Sequence, residues 1–257
     1  MLAAPARCIP SVTLRSFILH SIIFAWCSFG IYKDQTVYII PKFKEYGGRA
    51  QFLTMITAYV CLVAYGIAFV VDLIQMVTGL LEDKKITTNG YEEHRSILIS
   101  LRDDLVSFWA FTLSVFVVLM YWSLCYIDLD GVHPLESRKI TPLFGWYNQY
   151  LHTVPIFNAF LLITNVNYGY GGIKKVIFNI ILLGSGYFFW ISHLAQVKGY
   201  WVYGFMDKLN KVQFGAFVVA CHLIFFLVYA IGRKVSTSCW SQEYKERVII
   251  ENERKGL

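Results

Sequence analysis

Apolar residues occur in six long stretches along the chain, separated by shorter segments that carry most of the charge. A helix needs about 20 predominantly apolar residues to cross the hydrocarbon layer of a bilayer. The pattern therefore predicts an all-α polytopic membrane bundle of about six transmembrane helices. The predicted spans are Leu14 to Ile31, Phe52 to Leu81, Leu105 to Ile127, Leu151 to Val166, Val176 to Val197, and Val212 to Ile231.

Three of these stretches have unusual features. The first contains Arg15 and His20, and its short apolar centre resembles a signal peptide, but no clear small-residue cleavage site follows, so we expect an uncleaved span. The second would be about 45 Å long as a helix and should tilt or protrude into water. The fourth is short and contains Pro155, which is tolerated only if the helix starts nearby.

Composition excludes an ordinary soluble domain, because 56% of the residues are hydrophobic, 16% are charged and the mean hydropathy is +0.51. We expect a single membrane domain over residues 1–257, ending in a charged cytosolic tail at residues 241–257. That tail is predicted to be a helix in water or on anionic headgroups, which fits the formal net charge of +6. Nothing in the chain suggests nucleic-acid binding.

The loop charges predict an orientation for the spans. With six crossings, both tails and the even-numbered loops share one side, and that side holds more lysine and arginine residues than the other. Basic residues near span ends are retained in the cytosol. Both termini are therefore predicted to be cytosolic, in a multi-pass protein of the endomembrane system, such as the endoplasmic reticulum, or of the plasma membrane.

The cysteines occur singly, without the spacing of a metal or redox site, and are predicted to fill the core. They are Cys8, Cys27, Cys61, Cys125, Cys221 and Cys239. We therefore predict no metal and no cofactor.

Two apolar stretches that begin on the non-cytosolic side open with a reactive type of side chain. Thr54 lies about 5 Å below Gln51, and His152 about 6 Å below Asn148, at the rise of an α-helix. These matching depths correspond to the ester carbonyls of a bilayer lipid. A lipid could therefore present its ester to both residues without leaving the membrane.

The chemistry of the two side chains is complementary. A threonine hydroxyl becomes a nucleophile when a base takes its proton, and neutral imidazole is the usual base near pH 7. In the first turn of a helix, free backbone N–H groups favour an oxyanion and disfavour imidazolium. Asn148, one turn before His152, is placed to orient the ring, whereas the sequence identifies no carboxylate as a third member.

Structural explanations of these residues stay open at this stage. Threonine in a membrane helix commonly donates a hydrogen bond to a carbonyl of the preceding turn, which would account for Thr54. An ordinary headgroup contact would account for His152. Asp72 is expected to pair with Arg102 in a structural role, while the spacing gives His20 and other histidines no partner.

Further residues near the same interface are candidate substrate contacts. His193 lies level with His152 and is a candidate wall of the same pocket, with an interfacial hydrogen bond as the alternative. Trp201 and Tyr203 belong to an aromatic belt, which either anchors the protein at the interface or lines a lipid site. Together with Asn148 they form the predicted substrate-binding set.

Several short motifs, in order along most of the chain, resemble the androgen-induced protein family, which includes the androgen-dependent TFPI-regulating protein. The matching motifs are Tyr46-Gly47-Gly48, Phe52-Leu53-Thr54, Ile99-Ser100-Leu101-Arg102-Asp103, Val115-Phe116-Val117-Val118, Gly145-Trp146, Asn148, His152-Thr153, His193 and Trp201-Val202-Tyr203. The chain departs from the family pattern at Gln149 and Gly204, where histidine and proline are more usual, and at Pro155, which follows His152 sooner.

The resemblance implies a membrane threonine hydrolase acting on fatty acid esters of hydroxy fatty acids. It carries the catalytic roles onto Thr54 as nucleophile and His152 as base, with a bilayer lipid as the substrate. A non-enzymatic multipass protein that binds lipid or regulates a partner stays open as the alternative. A transporter fits less well, because the chain has no internal repeat and no matched pair of broken spans.

Overall fold

Long helices dominate the computed structural model, which describes residues 14–38, 40–81 and 98–255. No strand occurs within these ranges, which confirms the all-α prediction. Short 3₁₀ turns occupy Pro41–Lys44, Gly48–Gln51 and Gly204–Lys208. The longer and shorter helices are α1 (Leu14–Thr36), α2 (Leu53–Leu81), α3 (Leu98–Ile127, with a π-helical segment at Leu105–Ala110), α4 (Leu129–Val132), α5 (Leu135–Ile140), α6 (Trp146–His152), α7 (Val154–Asn165), α8 (Ile173–Lys198) and α9 (Lys211–Lys255).

Five helices of the described chain are long and apolar enough to cross a membrane. They correspond to five of the six predicted spans and confirm a multi-pass membrane bundle. The spans are Leu14–Thr36, Leu53–Val77, Leu98–Ile127, Ile173–Lys198 and Lys211–Trp240. The predicted helical tail is also confirmed through Lys255, although it continues the last span without a break.

The fourth predicted span, Leu151 to Val166, is wrong as a single helix. It is divided between α6 and the shorter α7, because Thr153 leaves the helical conformation, with φ −138° and ψ −53°. Pro155 then occupies the first turn of α7, where its missing N–H would have no helical partner in any case. The kink thus lies before the proline.

Side-chain contacts show that the chain nevertheless runs the length of the bundle six times. At one end, two tyrosines of the loop between α7 and α8 contact two other helices. Tyr168 bonds to His20 of α1, and Tyr170 donates to the Gly232 carbonyl of α9. The other end holds the residues around Thr54. Helices α6 and α7 together make the fourth pass, so the two ends of the described chain lie on the same side.

Helix α3 forms the centre of this arrangement and packs against α2, α7 and α9. Leu113 and Val115 to Val118 are buried on all sides of it, which explains why its sequence has no polar face. Helices α8 and α9 leave much of their apolar surface outside the bundle, as expected for contact with lipid. Helix α3 is already helical at Leu98, the first residue of its described range, whereas the predicted span began at Leu105. In this additional part, the side chains of Arg102 and Asp103 are buried inside the bundle.

These charged side chains belong to a buried polar cluster at the end away from Thr54. Arg102 Nη1 lies 3.2 Å from Asp72 Oδ1, which confirms the predicted pair. His20, expected to lack a partner, bonds to Asp72 at 2.7 Å and to Tyr168 at 2.6 Å. That expectation was wrong because local spacing does not reveal contacts between distant segments. Asp103 completes the cluster by accepting bonds from Arg102.

The segment before α2 folds back on itself at the opposite end. Gly47 and Gly48 have φ values of +94° and +53°, which L side chains rarely adopt. The turn brings the buried Gln51 amide to the carbonyl oxygens of Lys42, at 2.6 Å, and Gly48, at 2.8 Å. These bonds fix the point at which α2 starts, one residue before Thr54.

Candidate active site

Thr54 and His152 meet at the junction of α2 and α6. The Thr54 Oγ1 atom lies 3.2 Å from His152 Nε2, so the two predicted residues are within hydrogen-bond distance. Thr54 is in the first turn of α2, as expected. The expectation that His152 also lies in a first turn was wrong, because α6 begins at Trp146 and His152 is its last residue.

The surroundings of His152 define which ring nitrogen carries the proton. Its Nδ1 atom lies 3.1 Å from Asn148 Oδ1 and 3.2 Å from the Asn148 carbonyl oxygen. Both partners accept hydrogen bonds, since the Asn148 amide nitrogen donates instead to the Leu143 carbonyl. Nδ1 is therefore the protonated nitrogen, and Nε2 offers its lone pair to Thr54.

Burial, and not a helix dipole, favours the neutral ring. His152 is buried, and an unpaired imidazolium out of water would be unfavourable. At the end of α6 the backbone carbonyls would favour a cation, but the Trp122 indole N–H donates to the His152 carbonyl at 2.7 Å. Within the described chain, no carboxylate bonds to the ring, and Asn148 takes the orienting position.

Two residues that the sequence did not single out extend this network. The Tyr121 ring stacks on His152 with centroids 3.5 Å apart, and its hydroxyl donates to Asn148 Oδ1 at 3.0 Å. The same hydroxyl lies 2.8 Å from His133 Nδ1, and His133 Nε2 lies 3.0 Å from Thr141 Oγ1. The sequence signal for Tyr121 was a tyrosine hydroxyl inside a predicted span.

His133 lies outside the spanning segments, in the loop after α4. Its side chain is buried, and this burial, with a smaller effect of the Arg138 guanidinium, lowers the pKa of His133. The neutral form of the ring is therefore favoured in the folded protein. Since the single Tyr121 hydroxyl proton is donated to Asn148 Oδ1, His133 Nδ1 is the donor to the Tyr121 oxygen.

Thr54 lines three cavities, so its hydroxyl stands where they meet. The first is lined mainly by apolar side chains and runs between α3, α8 and α9 towards Phe225. The second lies beside α1 and α7. The third also contains His152 and opens among the loops. A lipid ester at Thr54 would have apolar space on one side and polar space on the other.

The remaining predicted contacts divide into two groups. Tyr203 lines the first and third cavities, and its hydroxyl lies 3.3 Å from the Leu53 amide nitrogen. His193 instead stacks on Trp190, and Trp201 packs on Phe214, with centroids 6.0 and 5.1 Å apart. Neither of these two lines a cavity that contains Thr54.

Helix geometry explains the position of His193. Tyr187 of α8 faces the site, with its hydroxyl 3.0 Å from the Leu53 amide nitrogen. His193 is six residues further along α8, which turns it about 240° away at 3.6 residues per turn. Equal depth in the membrane therefore does not place the two residues in the same pocket.

Within the described chain, no group of three or more His, Cys, Asp or Glu side chains could hold a metal ion. The described side chains around Thr54 provide acid–base and nucleophilic groups. The elements of the site are a hydroxyl, an oriented imidazole and adjoining apolar space.

Comparison with known proteins finds relatives over most of the chain. The chain is 25% identical to the human androgen-induced gene 1 protein, over 95% of its own length and 99% of the relative's. It is 28% identical to the androgen-dependent TFPI-regulating protein of Rattus norvegicus, over 90% and 96% of the two chains. No solved structure gives a significant match. Residues 15–237 match the family described as FAR-17a/AIG1-like protein, and the chain is a member of that family.

Proposed function

We propose that the protein is an integral membrane hydrolase that cleaves fatty acid esters of hydroxy fatty acids, with Thr54 as nucleophile and His152 as base. The observation that carries this proposal is the 3.2 Å contact between Thr54 Oγ1 and His152 Nε2. Asn148 Oδ1 accepts a hydrogen bond from His152 Nδ1–H, so the lone pair of His152 Nε2 points to the Thr54 hydroxyl, which must lose its proton. A structural threonine would not require an imidazole in this tautomer.

The reaction proceeds in two stages. Thr54 Oγ1 attacks the ester carbonyl carbon while His152 Nε2 takes the hydroxyl proton, and the imidazolium then protonates the departing alkoxide of the hydroxy fatty acid. This leaves the fatty acid as an ester of Thr54. Water, deprotonated by His152, attacks that ester, and the proton returns to Thr54 as the fatty acid leaves.

Charge on the carbonyl oxygen needs a donor near Thr54. In the first turn of α2, the Leu53 amide donates to the Tyr187 hydroxyl, and the Met55 and Ile56 amides donate to the Phe52 carbonyl. The Thr54 amide, which adjoins the nucleophile, is therefore the backbone donor proposed for this oxygen. The Tyr187 and Tyr203 hydroxyls, which contact the Leu53 amide, hold this turn in place. The first cavity, lined by apolar side chains such as Phe116 and Phe225, accommodates the acyl chain.

The direct test compares single variants in purified membranes. Thr54→Ala and His152→Ala should each abolish most hydrolysis of a branched fatty acid ester while expression is retained. Matched controls are Thr57→Ala, in the same helix, and His193→Ala, which removes a histidine outside the cavities; both should keep near-normal turnover. Full activity in either catalytic variant would refute the assignment.

A second function, lipid binding without catalysis, is favoured by the size of the apolar cavity. In this case the protein would hold a lipid or regulate a partner protein. The name of one relative, the androgen-dependent TFPI-regulating protein, describes regulation of TFPI. A fluorophosphonate probe separates the two functions. Capture at Thr54 supports the hydrolase, whereas intact lipid binding with no capture supports the binder.

The orientation completes the proposal. With both termini cytosolic, Thr54 and His152 lie near the non-cytosolic leaflet of an endomembrane, such as that of the endoplasmic reticulum. Part of the basic charge behind this orientation falls in residues 1–13 and 82–97, which lie outside the described residues.

A further inference from the structure

The polar cavity beside the catalytic pair has an unusual charge composition. Thr54, His152 and Lys42 all line this cavity. Among its described lining residues there is one lysine, two histidines and no carboxylate. Such a wall favours an anionic group over a cationic one.

Lys42 is held in place by the segment that starts α2. It belongs to the 3₁₀ turn Pro41–Lys44, and its carbonyl oxygen accepts a hydrogen bond of 2.6 Å from the Gln51 amide. Lys198 in turn bonds to Gln51 Oε1 at 2.8 Å and pairs with Glu45. The position of Lys42 is thus tied to the residues just before Thr54.

The ammonium group of Lys42 lacks a counter-ion of its own. Within the described residues it has no hydrogen-bonded or ion-paired partner, since the nearby Glu45 pairs with Lys198. Two ammonium groups therefore share one carboxylate. Lys42 is also half-buried, and burial, opposed by Glu45 and reinforced by Lys198, lowers the pKa of its side chain. An incoming anion would compensate for the lost hydration.

We propose that Lys42 binds the free carboxylate of the substrate, so that the site selects lipid esters whose alcohol part is itself an acid. This inference rests on the proposed hydrolase function. The acyl chain occupies the apolar cavity, the ester lies at Thr54, and the hydroxy acid extends into the polar cavity with its carboxylate at Lys42. The two cavities share Thr54, Tyr121, Val132 and Tyr203, so one ester spans both.

The test compares two esters that differ only in this charge. One substrate is a fatty acid ester of a hydroxy fatty acid with its carboxylate free, and the other is the methyl ester of the same compound. The purified full-length protein in detergent micelles is given each in turn, and the rate of hydrolysis is measured. Lys42→Met should lower kcat/KM for the free acid by roughly tenfold to a hundredfold, the usual range for a hydrogen bond to a charged group. Hydrolysis of the methyl ester should change little, and Lys42→Arg should keep most of the preference.

Lys44→Met is the matched control, because Lys44 is an exposed lysine in the same turn and does not line the cavity. It should leave both rates unchanged. Equal effects of Lys42→Met on the two esters, or no effect on either, would overturn the carboxylate subsite while leaving the catalytic pair intact.

Binding gives a readout that does not depend on turnover. In the Thr54→Ala background, the free acid should bind more tightly than its methyl ester, and Lys42→Met should remove the difference. Equal binding of the two esters in that background overturns the subsite. Turnover retained by Thr54→Ala overturns instead the proposed nucleophile, so the two failures are distinguishable.

Discussion

At the scale of single residues, the ring of His152 is oriented by an amide and a tyrosine instead of a carboxylate. Asn148 accepts from Nδ1, and Tyr121 both stacks on the ring and donates to the same Asn148 oxygen. A neutral acceptor stabilises imidazolium less than a carboxylate would. The proposed hydrolase should therefore depend strongly on the hydrogen bonds that fix this amide.

Tyr121→Phe tests that dependence, because it removes the hydroxyl and keeps the stacked ring. The loss of one neutral hydrogen bond, worth about 0.5–1.5 kcal/mol, predicts a fall in kcat of roughly twofold to tenfold with little change in KM. Steady-state hydrolysis of the ester measures both constants. Tyr126→Phe, at an exposed position of the same helix, should have no effect, and an unchanged kcat for Tyr121→Phe would contradict the positioning role.

His133 predicts a pH dependence of stability. Its pKa in the folded protein lies below the ordinary value of 6.5, so the unfolded chain binds its proton first as the pH falls. The contribution of His133 to the free energy of unfolding is therefore fully present above about pH 6.5. It decreases as the pH falls below this value, until the pH passes the pKa of the folded state.

The thermal unfolding midpoint in detergent, measured from pH 7.5 to pH 5, should fall less in His133→Gln than in the wild type. The groups facing His133 are Tyr121, Thr141, Arg138 and His152. Of these, only histidine ordinarily titrates in this range, and His152 is present in both proteins that are compared. His193→Gln serves as the control and should follow the wild type. Parallel curves for His133→Gln and wild type would contradict the prediction.

At the scale of helices, the sequence predicted the long apolar spans well and the fourth pass poorly. An uninterrupted apolar run such as that of α8 has to be a helix in lipid, because its backbone has no other way to satisfy its hydrogen bonds. The fourth pass breaks at Thr153, where the Trp122 indole bonds to the His152 carbonyl and to Thr153 Oγ1. That contact between distant segments leaves no periodic signal.

The side chains around Thr54 were likewise predicted only in part, because contacts between distant segments leave no signal in the sequence. Depth along each helix predicted that Thr54 and His152 could meet, since both distances follow from the helical rise. Rotation about the helix axis was not predictable, so His193 was included and Tyr121 was not. Sequence thus indicated the level of the site in the membrane, and packing decided which side chains face it.

The buried polar cluster gives a prediction for the helices that it joins. Arg102→Met would leave Asp72 and Asp103 buried without their cation, which typically costs about 3–5 kcal/mol. The thermal unfolding midpoint in detergent should fall markedly, whereas the remaining folded protein should keep its kcat, because the cluster lies at the other end of the bundle.

Lys175→Met is the control for this variant, because it breaks an exposed pair with Asp104, and surface pairs contribute little. The double variant Arg102→Met with Asp72→Asn should recover part of the loss, since one uncompensated charge is removed. A midpoint for Arg102→Met equal to that of Lys175→Met would show that the cluster does not stabilise the fold.

At the scale of the whole molecule, the six passes place Thr54 and His152 on one side of the bundle and the two ends of the described chain on the other. A lipid product released at Thr54 would therefore leave on the side away from the charged tail. If both termini are cytosolic, the site acts on the non-cytosolic leaflet, and cytosolic esters reach it only after crossing the bilayer.

Epitope tags at both ends test this arrangement. After selective permeabilisation of the plasma membrane, antibodies should stain both tags, because the excess of basic residues retains both tails in the cytosol. Leu135→Asn, which creates an acceptor sequence for N-glycosylation with Ser137, should add a glycan at the start of α5 if the segment between α3 and α6 is lumenal. Leu135 is exposed, so the substitution does not disturb the core. If the glycan is added but one of the two tags is not reached by antibody, the chain crosses the membrane an odd number of times. That result would contradict the conclusion that α6 and α7 together form a fourth crossing.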